Sequence, residues 1–495
     1  MRFEGEGAGI YELWVMCSGQ GCAKLKNKKT FPVSEFYMHS SFLRRKIKKY
    51  RFFIICIIIY CIFAKKFQIP SIMIIEFTVG NFLSFHKKRT LSFEARGGVS
   101  ELKDNFFAFE KQKFLRSIVL YGANSSGKSN LIKALDRMKS CLMFSVKLNE
   151  TDELDYTPFL LSSVSENQPT FFEMVFVSEK QKFRYGFEYN TTEIVNEWLF
   201  EIKKTKESPL FIRTKKGIAV SDDFQEGKNK EEATNNNRLF ISLVAQLGGE
   251  ISKQILECFS TCNVISGMNH GNYMDYTMKM FYKQSPGYSE SLRLFQDLKL
   301  GFRDVKIIES KFNPQKHFVK GVPEEIKAEF IKKYSGKQGI ELKIVHNKYD
   351  NKGEIKDTIS WYKDENESEG TRKIIDLSGP LFDTLLNGKV LIVDELDAKL
   401  HPLITMQIVK LFNSPETNPN NAQLLFATHD TNLLSTEIFR RDQVWFTEKD
   451  DVEQTDLYSL DDFVFTDGTK VRKDAKLEKN YIAGRYGAIP YITNL

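Results

Sequence analysis

The stretch VLYGANSSGKSNLIKAL, residues 119–135, decides how this chain folds. Three apolar or aromatic residues run into Gly122, Ala123, Asn124, Ser125, Ser126 and Gly127, and Lys128, Ser129 and an apolar-periodic run follow. Residues 122–129 fit G-x-x-x-x-G-K-[ST] between a strand and a helix. The bareness of the loop has a physical reason. A triphosphate needs several backbone N–H groups pointing inward, and larger side chains would block its approach. A helix starting near Lys128 adds the positive end of its dipole. In such a loop Lys128 reaches the β- and γ-phosphates, and the Ser129 hydroxyl binds Mg²⁺. A Gly-rich turn with an exposed lysine is the structural alternative, and it leaves the serine unexplained.

Working outward, residues 74–79 read as a strand, and NFLSF and RTLSFEA suggest that it is paired. SIVLY, residues 117–121, is a buried strand, and SNLIKALDRMKSCLMF has helical spacing with no Gly or Pro. TFFEMVFVSEKQKFRYGFEYN alternates across a hairpin. Residues 205–235 are charged and Asn-rich and read as a flexible connection. NRLFISLVAQLGGEISKQILECFSTC is helical with a Gly-Gly break, and residues 265–345 carry mixed helical signals and short strands. KVLIVDELD and AQLLFATHD are buried strands, DQVWFTE is a fourth, and PLITMQIVKLF is a helix. Buried strands alternating with helices indicate an α/β fold whose mostly parallel sheet is covered on both faces.

A P-loop alone is compatible with a kinase, a GTPase or a motor. VLIVDELDAKLHP discriminates among them. Four apolar residues, 390–393, end in Asp394 and Glu395. Asp394 stands where a carboxylate would hold Mg²⁺, and Glu395 where a base would polarise the attacking water. An acidic helix N-cap after a strand is the plainer reading of the pair.

The order of these motifs carries a resemblance. A Walker A loop, then Asp-Glu, Asp397, His-Pro and a strand ending in Thr-His resemble ABC-type ATPase heads of the SMC/RecF/OLD-like branch. The resemblance implies a P-loop NTPase with an antiparallel β subdomain and a mainly helical insert. It makes LDAKLHP a D-loop at Asp397 and His429 the switch histidine. It also calls for a signature segment that caps a second subunit's nucleotide. LSGP, residues 377–380, is set aside, because Pro380 would break the helix expected there. Ser368 and Gly370 in ENESEGTRKIIDL, which opens a helix, take that role. Gln168 and Gln181 are weak candidates for a Q-loop glutamine.

MIIEFTVGNFLSFHKKRTLSF, YGANSSGKSNLIKAL and RYGAIPYI together resemble the bacterial stand-alone AAA-type ATPases of the RloA and abortive-infection kind. The resemblance covers roughly residues 73–495. It implies Mg²⁺-dependent ATP hydrolysis, a homodimer or higher homo-oligomer through ATP-sandwiched heads, and a role in phage defence with a separate nuclease or toxin. A RecF-like repair ATPase with DNA as partner is the rival, followed by a binding module in which ATP is structural. Only 66 residues follow His429, too few for a fused nuclease domain.

The division expected is residues 1–72 as an atypical extension outside the fold, 73–204 and 346–495 as the two parts of the ATPase head, and 205–345 as connection and insert. By elimination the insert is where a partner or trigger binds. The net charge of +7 does not argue for nucleic acid, because residues 1–72 hold 13 Lys+Arg against 4 Asp+Glu, leaving 58 against 60 elsewhere. The 13-residue apolar run at 52–64 falls short of the roughly 20 residues a spanning helix needs. Translation is expected to begin at Met73, with no membrane partner. Seven cysteines without metal-ligand spacing read as reduced thiols of a cytoplasmic protein.

Overall fold

The structure, a computed structural model, describes residues 2–6, 10–15, 23–26, 72–269, 271–311, 324–334 and 338–490. The chain divides into two units, Met1–Gln68 and Ile69–Leu495. In the first, β1 (Arg2–Glu6), β2 (Ile10–Val15) and β3 (Ala23–Lys26) pair as an antiparallel sheet. The apolar run at 52–64 lies outside the described residues. Among the described residues no helix is long and apolar enough to cross a membrane.

The second unit is built on two sheets. The central one joins β8 (Ser117–Tyr121), β14 (Cys262–Ser266), β18 (Val390–Asp394), β19 (Gln423–Ala427), β20 (Val444–Lys449) and β21 (Thr455–Ser459). Its spatial order is β14-β18-β19-β8-β20-β21, parallel throughout except for the last pair. Strand side chains alternate between faces, and here both faces are buried. Ile118, Leu120, Val390, Ile392, Leu425 and Ala427 enter one core cluster. Val119, Tyr121, Leu391, Val393, Leu424 and Phe426 enter the other. This explains why the strands read as continuous apolar runs.

The second sheet is antiparallel and has seven strands. They are β4 (Ile72–Gly80), β5 (Arg89–Ser92), β9 (Thr170–Ser178), β10 (Gln181–Tyr189), β11 (Ile194–Lys203), β12 (Lys206–Thr214) and β13 (Gly217–Val220). β6 (Phe106–Phe109) and β7 (Gln112–Leu115) form a separate hairpin. Helix α1 (Lys128–Phe144) shares its core cluster with both sheets through Leu131, Leu135, Met138 and Leu142. Where the β4–β9 register slips after Ile74, the buried Gln423 side chain bonds the backbone of Ile74 at both N–H and C=O. One amide therefore ties the two sheets together.

The connection expected at 205–235 is instead partly sheet. β12 and β13 extend the antiparallel sheet at its edge. Their charges hid them, and Pro209 is tolerated because the β11–β12 register shifts beside it. The Gly-Gly break does separate α2 (Phe240–Gln246) from α3 (Glu250–Ser260). The insert is mainly helical among the described residues and also contributes strands. β14 belongs to the central sheet, and β15 (Asp304–Lys311), β16 (Gln338–Tyr349) and β17 (Ile355–Tyr362) form a small sheet of their own. Helices α4 (Gly271–Lys283) and α5 (Tyr288–Asp297) pack on that sheet through Met280, Phe281 and Phe295.

Pro380 does not break its helix. α6 (Glu369–Asn387) runs through it without interruption. A proline removes the bond to the carbonyl four residues back, here that of Asp376. The Thr277 hydroxyl on α4 donates to that carbonyl instead. The neighbouring glycine permits the approach, since a Cβ at Gly379 would lie 2.2 Å from Thr277 Oγ1 and 2.9 Å from its Cα. Helix propensity favours alanine over glycine by about 0.5–1 kcal/mol, but overpacking costs about 1–3 kcal/mol. Gly379→Ala is therefore expected to destabilise the fold by about 1–2 kcal/mol, read from the urea midpoint. A neutral or stabilised variant would show that α4 and α6 are not in close contact.

Candidate functional site

Three strands side by side bring the motifs together. β18, β19 and β8 are consecutive neighbours and parallel, spaced by about 4.8 Å. Residues that leave their C-terminal ends must therefore converge. The loop after β8, Asp394 and Glu395 at the end of β18, and His429 after β19 line one cavity of about 520 Å³. Its lining comprises residues 124–130, Ser84, Asp394, Glu395, His429 and Lys449.

The loop is held from behind. Gly127 has φ 114, and a Cβ there would lie 2.3 Å from Thr455 Oγ1. That hydroxyl donates to the Ser126 carbonyl at 2.9 Å and sits 2.6 Å from Ser84 Oγ. The Ser126 hydroxyl is 2.6 Å from Thr447 Oγ1. Hydroxyls of the β20–β21 hairpin thus fix the outer side of the loop, leaving the inner side to a ligand. Lys128 Nζ donates to the carbonyls of Gly122 (2.7 Å) and Ala123 (3.0 Å). Burial draws the Lys128 pKa down to about 8, against the opposing pull of Asp394, Glu395 and Asp397. Helix α1 opens at Lys128, so its first N–H groups lack intrahelical partners and face the same space.

Asp394 Oδ1 is buried and has no hydrogen-bond partner among the described residues. An orphaned carboxylate oxygen in the same cavity as the Ser129 hydroxyl is a donor set that fits Mg²⁺. Glu395 has φ 56, the left-handed region that a side chain normally avoids. The chain turns sharply there, against Gly267 at the end of β14. The Gly267 N–H donates to the Asp394 carbonyl at 2.6 Å, and a Cβ at Gly267 would lie 1.9 Å from the Glu395 carbonyl oxygen. Partial burial and then the nearby Lys128 ammonium hold the His429 pKa below the usual histidine range, against Asp397, Glu395 and Asp394. A neutral imidazole at the cavity wall follows at neutral pH.

Not every expected residue lies in the cavity. Gly122 and Ala123 serve as carbonyl acceptors for Lys128 rather than as wall. The Asp397 carboxylate lies beside the cavity, with Oδ2 3.4 Å from the His429 N–H. Ser368 and Gly370 are not among the lining residues. Ser368 caps α6, its hydroxyl accepting from the Thr371 N–H at 3.1 Å. Gly370 packs on the Lys399 carbonyl, 2.8 Å from where a Cβ would stand. Gln168 and Gln181 do not reach the cavity. The Gln168 carbonyl accepts from Asn81 and Tyr156, and Gln181 borders a separate hollow near Lys203. Ser84, Asn130 and Lys449 were missed. Ser84 belongs to NFLSF, which reads as part of a strand pair; the structure places it in the turn between β4 and β5.

Residues 117–435 match the model of a family described as "AAA domain, putative AbiEii toxin, Type IV TA system". No curated protein matches this chain. Among solved structures, an SMC head domain from Thermotoga maritima is 12% identical, with 78% of this chain and 98% of that one covered at a TM-score of 0.36. An Smc head domain with an extended coiled coil, bound to the C-terminal domain of ScpA and derived from Pyrococcus furiosus, is 13% identical. There 79% of this chain and 96% of that one are covered, at a TM-score of 0.35.

Proposed function

The chain belongs to this AAA-domain family of ATPases, and from that premise we propose that it binds and hydrolyses ATP as a Mg²⁺-dependent, nucleotide-driven switch. The observation that carries the reading is the single cavity in which residues 124–129 meet Asp394, Glu395 and His429. Backbone N–H groups of the loop and the start of α1 bind the phosphates. Lys128 turns part of its donor capacity from the loop carbonyls to the β- and γ-phosphates. Ser129 and Asp394 are the residues that would hold Mg²⁺, which supplies charge neutralisation at the phosphates. Glu395 orients and polarises the attacking water, and His429 contacts the γ-phosphate.

Ser368 and Gly370 sit at the start of α6 outside their own chain's cavity. In this reading they are offered to the nucleotide of a second copy, so that two heads close on ATP and hydrolysis separates them. Asp397 lies between the two sites, where it reports closure to His429. In this reading the switch acts in antiphage defence with a separate effector; the family description, "putative AbiEii toxin, Type IV TA system", bears on the defence role alone. The test is phosphate release by the full chain. Turnover with Mg²⁺-ATP that disappears on chelation of Mg²⁺ is expected; ATP bound tightly with no phosphate released at any protein concentration would reduce the nucleotide to a structural part.

A further inference from the structure

Lys373 is a fully buried lysine on α6 with no carboxylate within ion-pair distance among the described residues. Its ammonium donates to the Leu396 carbonyl at 2.8 Å and the Ala398 carbonyl at 2.6 Å, and stands 3.4 Å from that of Glu395. All three acceptors belong to the turn that follows Asp394. The same turn is bracketed by two non-glycine residues in the left-handed region, Glu395 (φ 56) and Lys399 (φ 63). Such conformations are strained and persist only where the surroundings over-determine them. Gly267 presses on the turn from β14, and Lys373 grips it from α6.

A merely structural role is a poor account of this lysine. An uncompensated buried charge is expensive, and an apolar side chain of similar length would pack α6 at lower cost. The contrast with Lys363 is direct, since that buried ammonium meets the buried Asp376 carboxylate at 2.6 Å. The charge of Lys373 is instead spent on the direction of three carbonyls. Burial draws its pKa to about 8, with Asp397 and Glu395 pulling the other way.

We propose that Lys373 is a positioning residue for hydrolysis: by holding the carbonyls of residues 395–398 it fixes the turn that presents Glu395, and it ties that turn to the helix capped by Ser368. Lys373 lies five residues beyond that cap, about 7.5 Å along a stiff helix. A push on the Ser368 end is therefore delivered to the turn bearing Glu395. Contact with a second copy thereby acts on the chemistry inside the first chain. The inference rests on the ATPase reading above.

The experiment uses the full chain with Lys373→Met, which keeps the length and removes the donors. Displacing a catalytic group by about 1 Å costs about 100-fold in rate, so kcat is expected to fall 30- to 100-fold, with ATP affinity within threefold of wild type. In a Glu395→Gln background the same substitution is expected to change residual single-turnover hydrolysis by less than threefold, because the group it positions is gone. Equal losses in the two backgrounds, a parallel loss of ATP affinity, or an unchanged kcat would each overturn the proposal. Lys373→Gln, which retains an N–H donor, is read by the same criteria with an expected tenfold fall, and it decides the matter if Lys373→Met does not fold. Failure of the ATPase reading looks different, because the wild-type chain would then release no more phosphate than Lys128→Ala.

Discussion

Glu395→Gln is expected to keep ATP bound while lowering turnover by about 10²–10³-fold, in the range general-base catalysis supplies. The substitution leaves the shape of the side chain intact. It removes the negative charge that orients and polarises water at the cavity wall. Residues 124–129 and Lys128 are untouched, so the dissociation constant measured with a fluorescent nucleotide should stay within a few-fold of wild type. With hydrolysis blocked and ATP saturating, the chain is expected to accumulate as a dimer by light scattering. A variant that stays monomeric under those conditions would dismiss the two-headed arrangement; one that hydrolyses ATP at the wild-type rate would dismiss Glu395 as the base.

Lys128→Ala attacks the other end of the site. Its ammonium is buried and bonds the Gly122 and Ala123 carbonyls. Although its pKa is drawn down to about 8, the group still carries its charge at pH 7. Removing it deletes the cation that meets the phosphates and leaves two loop carbonyls without their donor. Charged hydrogen bonds contribute about 1.5–3 kcal/mol each, and 1.4 kcal/mol is tenfold in affinity. Binding is therefore expected to weaken at least 100-fold by titration calorimetry. A loss smaller than fivefold would mean that the phosphates lie elsewhere.

Much of the site was legible because its strands are buried on both faces. Residues 118–121, 390–393 and 424–427 are apolar without alternation, and each runs directly into a loop whose residues carry defined chemistry. A helix with unbroken 3.6 spacing after Lys128 fixed which end of the sheet the loop occupies. Other features were illegible for physical reasons. Lys206 to Val220 carries surface charges because it forms the edge of a sheet, and that disguised two strands as a linker. The passage of α6 through Pro380 depends on a hydroxyl at Thr277, whose contact no local pattern announces. Gly267 and Lys373 act on backbone carbonyls, and a carbonyl leaves no signature in an amino-acid sequence. Ser84 reaches the cavity from the turn between β4 and β5, and Lys449 from the end of β20, and neither position carries a motif.

Thr447 and Thr455 complete the outer wall of the phosphate-facing loop, yet both lie past residue 435, where the family match stops. The shape of the loop is thus guaranteed by residues beyond the region that announces its ancestry. A fragment trimmed to the recognisable domain would carry every motif and an unfinished cradle. In this molecule the borders of kinship and the borders of competence do not coincide.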